Sequence, residues 1–321
     1  MHKAKATILD AETIDCNDID FTSLQALPYQ WQYHAAMDDR EQCIKSLHDV
    51  EVVITNKVVL DQEILQQTNA LKLICVAATG TNNVDLEAAA ELGIAVTNVA
   101  GYSTPSVVQW VFTHLLALKS RLLEHHVAVR CGDWQVSPQF ALLDYPFAEL
   151  SGKTLGIVGY GTLGQAVAKV AEAFGMRVLI CQRLAGEPVE GRVSLNALLP
   201  QVDVLSLHCP LNETTQNLIG AEELALMRPE AILINTARGG IVNEAALAHA
   251  LREEKIAGAG VDVLSSEPPS ADNPLLAAGV PHLIVTPHVA WSSCESRQRL
   301  VGELAANIQS FLVGEERNRI A

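Results

Sequence analysis

Along most of this chain, short apolar runs alternate with stretches whose apolar residues recur every three or four positions. Ala6–Leu9, Gln30–Tyr33, Val50–Ile54, Leu71–Val76 and Ile94–Asn98 read as strands. Helical spacing falls between them, around Asp39–Leu47, Asp61–Gln67 and Asp85–Leu92. Such alternation predicts a parallel sheet joined by crossover helices. Ser103, Thr104 and Pro105 then open a long apolar helix from Ser106 to about Leu123, with a hydroxyl residue to cap it and proline in its first turn. A looser stretch with Gly132, Trp134 and Pro138 follows. A second strand series starts near Leu150, with runs at Thr154–Val158, Arg177–Cys181, Val202–His208, Ala231–Thr236, Ala259–Val263 and Leu283–Thr286. From about Ser292 the chain carries one amphipathic helical pattern to its end.

Within the second series, Gly159-Tyr160-Gly161-Thr162-Leu163-Gly164 follows the strand Thr154–Val158 and precedes the helical stretch Gln165–Phe174. A GxGxxG by itself is weak, but here the next strand completes a βαβ unit of about 30 residues, the context of dinucleotide binding. Gly159 permits the tight turn, Gly161 lets backbone approach a pyrophosphate, and Gly164 lets helix and strand pack closely. Thr162 and Leu163 open the helix, whose free N–H groups and positive dipole end suit phosphates. The fingerprint sits halfway along the chain, so the first α/β series, which has no such fingerprint, has a different role.

The chain has 321 residues, 49% of them hydrophobic. At roughly 150 residues per domain that predicts two domains. Its 22 basic against 37 acidic residues give a net charge of −15, which argues against nucleic acid or an anionic membrane as partner. A small anion in a locally positive pocket remains compatible. Seven cysteines are scattered, with no CxxC or Cys/His spacing, so neither a disulfide framework nor a metal site is expected. The N-terminal Met1-His2-Lys3-Ala4-Lys5-Ala6 has no apolar stretch behind it, and no run approaches ~18 apolar residues. A cytoplasmic protein without metal is the expectation. The final helix has little of its own to fold with; geometry leaves open whether it packs back on the N-terminal series.

Three positions lie just past strand ends of the second series, where open parallel sheets bind ligands. They are Arg238 in Asn235-Thr236-Ala237-Arg238-Gly239-Gly240, Glu267 in the segment Asp262–Pro268, and His288 after Thr286-Pro287. Singly, each reads as a surface arginine, a solvated acid and a core histidine. Together they supply what hydride transfer to a 2-oxo acid requires. A guanidinium orients the carboxylate, an imidazole exchanges the proton of the alcohol oxygen, and a carboxylate beside it favours the imidazolium.

At these residues the chain resembles the D-isomer-specific 2-hydroxyacid dehydrogenases over essentially its whole length. The matching stretches are Ala78–Asp85, Gly156–Gly164, Leu207-His208-Cys209-Pro210-Leu211, Asn235–Gly240, Asp262–Pro268 and Thr286-Pro287-His288. The resemblance implies a fold of two doubly wound parallel-sheet α/β domains. A Rossmann NAD(P)-binding domain (102–291) would be inserted into a discontinuous flavodoxin-like substrate domain (1–101 and 292–321). It implies Arg238 as substrate anchor, His288 as acid/base and Glu267 as its partner, with Asp262 near the nicotinamide. Thr79 and Gly80 would offer backbone N–H groups to the substrate carboxylate, Thr104 would approach the carboxamide, and Thr215 the phosphates. His208, Cys209, Pro210, Thr236 and Ala237 complete the expected cofactor contacts. Family members are usually homodimers joined through the nucleotide domains.

Trp291, together with Trp134 and Phe140, resembles the glycerate dehydrogenase (hydroxypyruvate reductase) branch, with hydroxypyruvate the leading substrate and glyoxylate second. Trp291 then belongs to the substrate site, or it packs at the domain junction. The alternatives are a D-lactate-type or other D-2-hydroxyacid dehydrogenase, or a dinucleotide-sensing corepressor of the same fold. An NAD site wants an acid about 20 residues past the fingerprint; Gln182 and Arg183 stand there instead. That points to NADP(H), with Arg183 pairing a 2′-phosphate, and the other reading is NAD bound through Gln182.

Overall fold

The computed structural model describes residues 3–37, 39–184 and 186–321; Met1 and His2 of the N-terminal stretch read above lie outside them. The chain divides into two compact units, one formed by its two ends, up to Ser103 and from Ser292 to Ala321, the other by Thr104–Trp291.

In the first unit, strands β1 (Ala4–Ile8), β2 (Tyr29–Tyr33), β3 (Val50–Thr55), β4 (Leu73–Val76) and β5 (Ala95–Thr97) form a parallel sheet in the order β2-β1-β3-β4-β5. The crossover helices are α1 (Thr22–Gln25), α2 (Arg40–Leu47), α3 (Gln62–Leu65) and α4 (Leu86–Glu91). The last three start where the acids predicted: Asp39, Asp61 and Asp85 each accept a first-turn backbone N–H. Leu47, Val53, Leu65, Ile74 and Val96 share one core. The chain's last helix, α11 (Cys294–Leu312), is capped by Ser293, buries Leu300, Leu304 and Ile308, and packs on β4 and α1.

The helical pattern predicted to run to the chain end stops earlier. Gly314 turns left-handed at φ 76°, and the tail comes back beside β5. Ile320 N donates to Val96 O, and Ala321 O accepts from Val96 N.

The second unit begins with α5 (Thr104–Lys119) and α6 (Leu122–Cys131). A single helix to about Leu123 was expected. Arg121, at φ 52°, breaks it, its guanidinium held by Glu124 at 3.2 Å and by the His282 ring. Then come β6 (Thr154–Val158), α7 (Thr162–Ala173), β7 (Arg177–Ile180), α8 (Leu195–Leu198), β8 (Val204–Leu207), α9 (Ala221–Leu226), β9 (Ile232–Asn235), α10 (Glu244–Arg252), β10 (Gly258–Val261) and β11 (Leu283–Val285). The sheet is parallel in the order β11-β10-β9-β8-β6-β7, and Cys181 past β7 makes one further parallel bridge to Val193. Strand order reverses between β6 and β8, the point at which such sheets bind ligands.

Both faces of this sheet are covered, which is why its strands read as near-continuous apolar runs. Along β9, Ile232 and Ile234 join Val111, Leu115 and Val167 of α5 and α7. Leu233 points to the opposite core with Leu205, Leu224, Leu247 and Leu251. Each such side chain fully withdrawn from water contributes about 1.5–3 kcal/mol.

The fingerprint glycines differ in how closely they are packed. A Cβ on Gly164 would lie 2.2 Å from Gly159 O, whereas one on Gly161 meets nothing within 4 Å. Urea unfolding should show Gly164→Ala destabilised by about 1–3 kcal/mol and Gly161→Ala within about 1 kcal/mol of the parent.

Candidate active site

The turn after β6 is built on a neighbouring peptide. Gly159 has φ 93°, and a Cβ there would sit 2.6 Å from His208 C and O and Cys209 N. The fingerprint therefore lies directly on the segment following β8. Gly161 is the N-cap of α7 with no side-chain cap, so the first turn, Thr162 to Gly164, offers its backbone N–H groups to an anion. Thr236, past β9, is 7% exposed, and its buried Oγ1 has no hydrogen-bond partner among the described residues. An open glycine, an uncapped helix start and an orphaned hydroxyl fit a bound dinucleotide.

Other expected cofactor positions are committed to local structure. Thr215 Oγ1 donates to Pro210 O at 2.7 Å and accepts from Asn212 N at 2.7 Å, closing the turn between them. His208 Nε2 is 2.8 Å from Ser206 Oγ. Burial pushes its pKa down to about 4 and the Cys209 thiol up to about 11. Gln182 is turned onto its own loop, with Oε1 accepting from Val189 N and Arg183 N and Nε2 donating to Val189 O. Arg183 is exposed. Arg192, which the sequence reading passed over, stands 5.8 Å from the Tyr160 ring centroid, against the fingerprint. Thr104 opens α5.

The three candidate catalytic residues lie on turns that support one another. Asn235 shapes the turn carrying Arg238: Oδ1 accepts from Ala237 N, Nδ2 donates to Arg238 O, and Arg238 Nη1 donates to Ala237 O. A Cβ on Gly239 would fall 1.8 Å from Leu264 O, so this turn and the loop after β10 meet backbone to backbone. That loop carries Glu267, whose Oε1 accepts from Leu264 N at 2.9 Å. Glu244, at the start of α10, braces the same loop by accepting from Ser265 N, Ser265 Oγ and Asn273 Nδ2. Glu267 Oε2 is 2.5 Å from His288 Nδ1. A carboxylate accepts, so the proton is on Nδ1, leaving Nε2 for a substrate.

His288 has φ 54°, a left-handed conformation held by its neighbours. Asp262, 1% exposed, lies beneath it. Its carboxylate accepts from Thr286 Oγ1 at 2.5 Å, Val289 N at 3.0 Å and Ala290 N at 2.8 Å, and its carbonyl accepts from His288 N. Burial pushes the Asp262 pKa above the usual carboxylate range, against those hydrogen bonds. Thr286 Oγ1 also contacts His114 Nε2 of α5 at 3.2 Å. Trp291 closes this unit. Thr79 and Gly80 belong to the other unit, past β4, where Thr79 Oγ1 donates to Val99 O. Glu244, Arg192 and His114 carry no sequence signal of their own; distant pairing alone reveals them.

Residues 112–290 match the family model for the D-isomer specific 2-hydroxyacid dehydrogenase, NAD binding domain. The chain belongs to the D-isomer specific 2-hydroxyacid dehydrogenase family. It is 43% identical over 314 residues to the glycerate dehydrogenase of Methylorubrum extorquens, covering 98% of each chain. It is 38% identical over 319 residues to the hydroxypyruvate reductase of Blautia hydrogenotrophica, again 98% of each. Among solved structures, an acyclic imino acid reductase in complex with NADPH and D-Arg superposes with a TM-score of 0.85 at 29% identity, covering 99% of this chain and 100% of that one. As a member of this dehydrogenase family, the chain is an enzyme acting on CH–OH donors with a nicotinamide cofactor.

The two histidines with lowered pKa predict an acid sensitivity of the fold. Burial holds His114 and His208 neutral, each down to about 4 from 6.5. Between those values the unfolded chain binds protons that the native chain does not, so stability rises with pH there. Urea midpoints should fall as pH drops from 6.5 towards 4, and fall less in His208→Gln.

Proposed function

We propose that this dehydrogenase reduces hydroxypyruvate to D-glycerate, with glyoxylate to glycolate as its second reaction, and uses NADPH in preference to NADH. The observation that carries the reading is the 2.5 Å contact between His288 Nδ1 and Glu267 Oε2, on a loop in backbone contact with the turn of Arg238. The names of the two relatives support the substrate.

When bound, NAD(P)H would supply the hydride that the carbonyl carbon accepts. Arg238 pairs with the carboxylate and turns the carbonyl toward His288. His288, charged beside Glu267, gives the Nε2 proton to the carbonyl oxygen as the alcohol forms. Glu267 accepts from Nδ1–H, so that proton stays on the ring, and the carboxylate offsets the imidazolium charge. Trp291 borders the substrate, and Asp262 holds the histidine turn. Oxidation of the hydroxy acid reverses the proton step.

The cofactor reading rests on the end of β7. Gln182 uses both ends of its amide on Val189 and Arg183, which disfavours it as acceptor for ribose hydroxyls. Arg183 and Arg192 supply positive charge for a 2′-phosphate, and Thr162, Leu163 and Thr236 would face the rest of the dinucleotide. Seven unpaired thiols suit a reducing compartment, the cytoplasm. Leu122, Val127, Trp134, Val136 and Phe140 are exposed, Phe140 at 95%, and the proposed cover for these apolar side chains is a second copy of the chain. Sedimentation velocity should give a dimer of the 34.6 kDa chain that dissociates in Phe140→Glu; a monomer throughout overturns this.

Steady-state kinetics with hydroxypyruvate test the chemistry. His288→Ala should lower kcat about 100-fold or more with little change in the KM for NADPH. Arg238→Ala should raise the KM for hydroxypyruvate as well as lower kcat. Replacing Arg183 and Arg192 together by alanine should raise the KM for NADPH but not for NADH. Near-full activity of His288→Ala overturns the acid/base assignment, and an NADH preference above about tenfold, some 1.4 kcal/mol, overturns the cofactor.

A further inference from the structure

Beneath the candidate site, hydrogen bonds tie helix α5 to the segment that carries His288. Ser106 Oγ donates to Ala290 O at 2.6 Å, and His114 Nε2 lies 3.2 Å from Thr286 Oγ1. The second contact belongs to a chain whose direction follows from chemistry. Asp262 Oδ1 accepts the Thr286 hydroxyl proton at 2.5 Å, so the remaining lone pair on Thr286 Oγ1 takes the proton of His114 Nε2. That makes His114 the Nε2–H tautomer, with a bare Nδ1, which is buried without a partner among the described residues.

The fit of His114 is close on both sides. A Cβ on Gly260 would lie 2.6 Å from His114 Cβ, so β10 has a glycine where the imidazole passes under it. The Trp110 ring stands 5.5 Å away on the same helix. A buried, neutral imidazole with one nitrogen unsatisfied is a costly residue for a core, and aliphatic side chains fill the surrounding α5 positions Val111 and Leu115.

We propose that His114 is a positioning residue for the proton-transfer histidine. It acts through Thr286 and Asp262, whose carboxylate holds the backbone on the far side of His288. By donating to the Thr286 hydroxyl, His114 aims that hydroxyl at Oδ1. Oδ1 and Oδ2 then stay in register with Val289 N and Ala290 N, and His288 stays at its left-handed φ, facing Glu267. This role rests on the proposed part of His288, because a histidine that exchanges no proton needs no such brace.

The test is a kinetic comparison of His114→Phe, His114→Gln and Thr286→Val with hydroxypyruvate and NADPH, alongside thermal unfolding of each. Phenylalanine keeps a ring but no donor. Glutamine carries an amide nitrogen at about the distance of Nε2. Valine replaces the hydroxyl by a methyl group. The proposal predicts that His114→Phe and Thr286→Val each lower kcat about five- to tenfold, with the KM for NADPH within about twofold. His114→Gln should recover most of kcat, and the double variant should be no slower than either single one, as expected for links in one chain. Unchanged kcat in His114→Phe overturns the proposal. So does a kcat loss that glutamine fails to restore, or additive losses in the double variant. His288→Ala, run in parallel, separates the two readings. If it retains full activity, the acid/base assignment fails. If it is inactive while His114→Phe is not impaired, the brace alone fails.

Discussion

The buried carboxylate of Asp262 is the constraint on which the edge of the second unit's sheet depends. Withdrawn from water at the end of β10, it accepts from a hydroxyl and two backbone amides. Leaving any one of those donors unpaired in the interior would cost about 1–3 kcal/mol. The turn after β11 therefore has to bring Val289 N and Ala290 N to it. His288, between that turn and Asp262 O, takes the left-handed backbone conformation that results.

Close backbone approaches extend this constraint to the rest of the site. Gly239 lets the Arg238 turn rest on Leu264, and Gly159 lets the fingerprint rest on the His208–Cys209 peptide. Glu267 is fixed from two sides, by Leu264 N and by His288, while Glu244 fixes the loop behind it. The cation, the acid and the imidazole are thus held on turns and a braced loop at neighbouring strand ends, which suits chemistry that depends on orientation. The glycine fingerprint follows β6, at the reversal of strand order.

Much of this was legible in the chain. Strands buried on both faces leave runs such as Ala231–Thr236 that read as strands without structural help, and Asp39, Asp61 and Asp85 marked helix starts by their capping chemistry. Fingerprint, arginine, glutamate and histidine all stood past strand ends in the order of the family. Other features were not legible, for identifiable reasons. Arg121 breaks α5 from α6 in a left-handed conformation that no glycine announced; its reward is the pairing with Glu124 and His282, the latter far away in sequence. The tail past Leu312 leaves its helix to pair with Val96, a partner the helical periodicity does not encode. Gln182 lies where an NAD site places its ribose acceptor, yet its side-chain direction is set by Val189 in the loop that follows. Glu244 and His114 look like an ordinary first-turn acid and a core residue until their partners are known.

The proposed reaction pairs direct hydride transfer with proton delivery from His288 and yields the D-hydroxy acid. Following deuterium from NADPH labelled at nicotinamide C4 into hydroxypyruvate, with the product resolved by configuration, tests it most directly. The expected product is D-glycerate with the label at C2 when the transferred position carries deuterium, and an unlabelled hydroxyl in ordinary water. L-glycerate, or a C2 hydrogen drawn from solvent, would contradict it.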